Sequence, residues 1–151
     1  MILPAVLLLA GCASSPKPAA TEPPARKVVK PMDDTRYFPR AGQVDSKVVD
    51  DHLLGHEFLP GGNIAHYKAG PLQYDLILIR TATPTDAAIL LLDFKKHLAS
   101  PKLIAHFGGY FGADGDRQTF LFTKNNWLCG VIGLPLAEAD ARGRDFAGRL
   151  Q

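Results

Sequence analysis

The chain has 151 residues, 46 % of them hydrophobic, and its 17 basic and 15 acidic side chains leave a formal net charge of +2. So small a net charge excludes the strongly basic footprint of a nucleic-acid-binding protein, and the length suits one hydrophobic core with an appendage. Two cysteines, Cys12 and Cys129, are too few for a disulfide-framed scaffold.

In chain order the first feature is an apolar run from Ile2 to Ala10, broken only by Pro4. It is far short of the roughly 20 residues needed to cross a bilayer and has the length of a signal-peptide core. The stretch that closes it, Leu9-Ala10-Gly11-Cys12, resembles a bacterial lipobox. That resemblance implies a lipoprotein: residues 1–11 are removed as a signal peptide, and Cys12 becomes an acylated N-terminus. Several acyl chains at about 0.8 kcal/mol per buried methylene make such an anchor stable. Ala13, where an inner-membrane protein would carry Asp, implies the periplasmic leaflet of the outer membrane. With Cys12 committed to lipid, Cys129 has no partner, and its apolar setting, Trp127 to Ile132, reads as that of a buried, inert thiol.

Residues 12–43 are expected to be a tether. Six of the twelve prolines fall there, at 16, 18, 23, 24, 31 and 39, with six basic against three acidic side chains. Such a stretch has too little apolar surface to offset its ordering entropy. Residues 44–151 are expected to form a single domain carrying eleven basic and twelve acidic groups.

Within the domain, Asp45 to Leu54 reads as a short helix with Val48, Val49 and Leu53 on one face and Gly55 as its stop. Asn63 to Ala69 and Gln73 to Arg80 read as strands around Gly70-Pro71. Thr83-Pro84-Thr85-Asp86 has the N-cap and first-turn proline of a helix start. The helix then runs to about Ala99, with Ala87, Leu90, Leu91, Phe94 and Leu98 on one face. A strand is expected at Lys102 to Phe107, followed by a glycine-rich loop. Gln118 to Lys124 and Trp127 to Leu134 form a hairpin about Asn125-Asn126. Pro135 opens a last helix in which Leu136, Ala139, Gly143, Phe146, Ala147 and Leu150 recur at helical spacing. The fold class expected is α+β: a small antiparallel sheet of four to five strands with two main helices packed on one face.

From Tyr74 to Leu150 this order, with Gly108-Gly109-Tyr110, Phe122, Trp127, Arg142 and Phe146-Ala147, resembles an uncharacterised domain family of bacterial exported proteins. The resemblance implies no activity. Leu76 to Leu98 separately resembles the strand-and-helix half of a sporulation-related, peptidoglycan-binding repeat.

Catalytic signatures are missing. None of the four serines, 14, 15, 46 and 100, sits in a Gly-x-Ser-x-Gly turn, and no phosphate-cradling glycine motif occurs. His52 and His56 have the spacing of two metal ligands on a helix, but Leu53 stands where a metalloprotease needs Glu, so no metal and no cofactor is expected. The candidate binding stretch is the loop from Gly108 to Asp116, which combines Tyr110 and Phe111 with Asp114 and Asp116; packing of both rings on the sheet is the alternative. The function expected is an outer-membrane-anchored periplasmic lipoprotein of binding or assembly-scaffold type, without enzymatic activity. Its partners would be membrane lipid through Cys12, another envelope protein or peptidoglycan, and no nucleic acid. A peptidoglycan-binding module and a periplasmic enzyme are the alternatives.

Overall fold

The computed structural model describes residues 30–151. The expected signal peptide, Cys12 and the tether up to residue 29 lie outside the described residues. Those described contain seven strands, β1 (Gln43–Asp51), β2 (Pro60–Ala69), β3 (Leu72–Arg80), β4 (Ala99–Ile104), β5 (Gly109–Asp114), β6 (Arg117–Lys124) and β7 (Trp127–Ile132). Two α-helices, α1 (Pro84–His97) and α2 (Leu136–Ala147), complete the main elements. All strands join one antiparallel sheet in the order β1-β2-β3-β7-β6-β5-β4.

This corrects the expected α+β sheet of four to five strands: the sheet has seven, and the domain is mostly β, 44 % strand against 26 % helix. The placement of the helices is corrected too. Along β3, Leu76 and Leu78 pack with Ala139 and Phe146 of α2, whereas Ile77 and Ile79 pack with Leu91 and Phe94 of α1. Successive side chains of a strand point to opposite faces, so the helices cover opposite faces of the sheet. The physical mark of this is continuous burial: every residue from Tyr74 to Ile79 and from Trp127 to Ile132 is buried. A strand with one wet face would alternate instead.

Helix α1 starts as its sequence dictates. The Thr83 hydroxyl accepts from the Asp86 amide at 3.1 Å and donates to the Asp86 carboxylate at 2.7 Å, with Pro84 in the first turn. The helix leaves the end of β3, crosses β7, β6 and β5, and delivers the chain to β4 at the far edge. Helix α2 crosses β7 and β6 on the other face. Gly143 lets it approach closely, since a Cβ there would lie 2.9 Å from the Phe120 ring.

Two expected elements differ locally. Asp45 to Leu54 is strand through Asp51: Val48 lies opposite Asn63 and Val49 opposite Gly62, so the two valines face opposite ways. β-Branched residues suit a ladder, and pairing with β2 outweighs a helical period carried by three residues. Gly108 to Asp116 is strand β5 and its turns rather than a loop. The glycines at 109 and 112 serve close packing, for a Cβ on Gly109 would fall 2.2 Å from the Leu121 carbonyl oxygen.

The stretch from Met32 to Pro39, read from its prolines and charges as tether, is seated against the α2 face. Phe38 is fully buried and stacks on Phe146 with ring centroids 5.5 Å apart. Asp34 is buried as well. Its carboxylate accepts from Arg80 Nε at 3.0 Å and Nη2 at 2.7 Å, and its amide donates to the Asn63 side chain. The Arg80 guanidinium lies 4.0 Å above the Trp127 ring. Charges that look solvated in sequence are here paired within the fold.

Candidate functional site: a polar strip beside a cleft

One end of the α1 face carries polar groups beside the apolar core under α1. The β2–β3 register sets His66 opposite Asp75, and the side-chain alternation puts both on the face of Ile64 and Ile77. Asp75 is nearly enclosed, its side chain 12 % exposed. Its Oδ1 accepts from His66 Nδ1 at 2.6 Å and its Oδ2 from Arg117 Nη1 at 2.8 Å. A carboxylate only accepts, so the imidazole proton sits on Nδ1, and Nε2 is turned to Asp45, 3.8 Å away. Two charge-assisted bonds offset the desolvation of Asp75. In return Asp75 fixes the orientation of His66 and Arg117, whose side chains are 37 % and 43 % exposed.

Arg117 is held from a second side. Its Nη2 reaches the Ile132 carbonyl oxygen at 3.4 Å. Gly133 follows with φ +100°, and a Cβ there would lie 3.1 Å from Nη2. Glycine is thus required twice, for the backbone angle and for the space the guanidinium occupies. Arg117, Gly133, Gln73, Asp116 and Gln118 line a cleft of about 640 Å³, a volume suited to a small ligand. A guanidinium has five N–H donors. Arg117 uses two, one on Asp75 and one on Ile132, and Asp116 has no partner among the described residues. The cleft wall therefore offers donors at a fixed position beside a free carboxylate.

The expected site residues are distributed as follows. Tyr110 and Phe111 lie on opposite faces of β5: Tyr110 packs with the α1-side core beneath Lys95, whose Nζ is 4.5 Å from the ring centroid, and Phe111 packs with the α2-side core. They do not share a surface. Asp114 bonds to His56 Nε2 at 2.6 Å, and Asp116 alone of the four reaches the cleft. His52 and His56 do not form a helical pair. His52 is left-handed (φ 51°) and 3.3 Å from Asp51, while His56 sits among Phe58, Phe94 and His97. The β1–β2 connection so pinned lies over the α1 face, where Leu53 and Leu59 are buried. Cys129 is buried and burial pushes its thiol well up, so it is no nucleophile at neutral pH.

His66, Asp75 and Arg117 went unrecognised in the sequence, although part of the signal was there. A two-residue turn at Gly70-Pro71 pairs Ala69 with Leu72 and so His66 with Asp75. Nothing local places Arg117, 42 residues on. A second groove of about 400 Å³, between the end of α1 and edge strand β4, is lined by Leu92, Leu98, Pro101, Lys95 and Lys96. Among the described residues there is no group of three or more His, Cys, Asp or Glu side chains able to hold a metal ion, and no helix is long and apolar enough to cross a membrane. No family model, no curated protein and no solved structure matches the chain.

Proposed function

We propose that the chain is a binding module of the bacterial envelope, anchored by lipid at Cys12 on the periplasmic side of the outer membrane, and that its ligand seat is the Arg117 cleft. The observation that carries the seat is the fixing of Arg117 by the nearly enclosed Asp75. Arg117 stabilises the fold by neutralising the nearly enclosed Asp75, and the same restraint holds a half-exposed guanidinium at a cleft wall, where it lowers the ordering cost of ligand recognition. The lipobox residues support the anchor, and the fixed Arg117 donors beside Asp116 support a ligand seat.

Capture experiments test the reading with Cys12→Ala protein, so that lipid plays no part. Immobilised protein should retain a component of solubilised bacterial envelopes. Adding Arg117→Ala should abolish retention, whereas Lys124→Ala, at the opposite end of β6, should not. Retention of isolated peptidoglycan would identify the wall as the ligand. Equal retention by all three proteins overturns the assignment of the seat.

A further inference from the structure

The charges around the cleft specify its ligand more narrowly, and we infer that it takes a zwitterion of the amino-acid or short-peptide class. The inference rests on the reading of the Arg117 cleft as the ligand seat. Arg117 presents three N–H donors that no group among the described residues uses, in a fork whose partner of choice is a carboxylate. A plain anion is nevertheless a poor match. Asp116, the neighbour of Arg117 in the β5–β6 turn, lines the same cleft and has no partner among the described residues, so it repels a bare carboxylate and attracts an ammonium.

The surroundings are balanced in the same way. Lys68 lies opposite Gln73 in the β2–β3 register, on the strand face of His66, and Asp45 flanks His66 on its other side. Asp114 also stands opposite Arg117 across β5–β6, so the strip has no positive field that would draw in a bare anion. Gln73, which shares the strand face of Asp75, completes the lining with an amide that both donates and accepts, the group that pairs with a peptide bond. Carboxylate on Arg117, ammonium on Asp116 and amide beside Gln73 describe a small peptide with free ends. The volume of the cleft holds a dipeptide.

The test titrates the full-length protein with alanyl-alanine, with N-acetyl-alanyl-alanine and with alanyl-alanine amide, following the backbone amide signal of Gly133. Each contact is a partly solvated ion pair, so each cap should weaken binding by about 1.4- to 5-fold. Asp116→Asn, an exposed turn substitution that leaves the Asp75–Arg117 bond intact, should erase the preference for the free amine while keeping the preference for the free carboxylate. If the acetylated dipeptide binds wild-type protein as tightly as the free one, the zwitterion inference is overturned and the cleft remains a carboxylate seat. If none of the three probes moves the Gly133 signal while other signals respond or all stay still, the seat itself is withdrawn.

Discussion

Truncating the two partners of the Asp34–Arg80 pair separately should have unequal costs, and the inequality follows from their exposure. Arg80→Met keeps the side-chain volume over Trp127 but leaves the Asp34 carboxylate, 1 % exposed, without a counter-charge. Breaking a buried pair in this sense costs about 3–5 kcal/mol. Asp34→Ala strands the other partner instead. The Arg80 side chain is 33 % exposed, so water can reach the guanidinium, and it keeps its contact with the Trp127 face. The loss is then that of two charge-assisted hydrogen bonds partly recovered by hydration, about 1.5–3 kcal/mol. The double variant should cost less than the sum, because the two changes remove one interaction. Urea unfolding at pH 7, extrapolated to water, measures all three. A cost below about 1 kcal/mol for Arg80→Met, or a larger cost for Asp34→Ala, would refute the claim that the stretch from Met32 to Pro39 belongs to the fold.

Three further outcomes follow. Mass spectrometry of protein from native membranes should find acylated Cys12 at the N-terminus, and Cys12→Ala should move the protein to the soluble fraction; an unmodified, soluble wild-type protein would contradict the anchor. Burial pushes the Tyr67 hydroxyl and the Cys129 thiol above their ordinary ranges. The folded state therefore keeps protons that the unfolded chain releases, so stability is full below the unfolded values and falls as pH rises past them. Each such group, the burial-raised Tyr74 hydroxyl among them, removes up to about 1.4 kcal/mol per pH unit above its unfolded value, so Tyr67→Phe should lower the slope in urea unfolding between pH 10 and 11 by up to that amount. Phe111→Ser should destabilise the domain by about 1–3 kcal/mol because its ring packs on the α2-side core, and a cost near zero in thermal unfolding would restore it as a surface residue.

What could be read from the sequence divides along physical lines. Strand β3, helix α1 with its Thr83 cap, and the Asn125-Asn126 hairpin are specified by local chemistry, and Asn125 indeed takes the left-handed angle of 52° that such a turn needs. Strands β1 and β5 are not. β1 is an edge strand with little apolar surface, so no face marks it, and the glycines of β5 imitate a loop although they sit where Leu121 and Ala99 come close. Burial on both faces was legible in the unbroken apolar runs of β3 and β7, which point to helices on both sides. The position of Asp116 in the β5–β6 turn was recoverable because that turn is local. Arg117 gains its role only when β6 is laid two strands from β3, a register settled across β7.

The central claim is that recognition occurs at the Arg117 cleft and not at the apolar groove beside β4. A photoreactive side chain at Gln73, and separately at Leu92, tests this directly in living bacteria, since both positions are exposed and each lines one of the two cavities. The account predicts adducts from position 73 that disappear when Arg117→Ala is added, and none from position 92. Adducts from position 92 alone would contradict it.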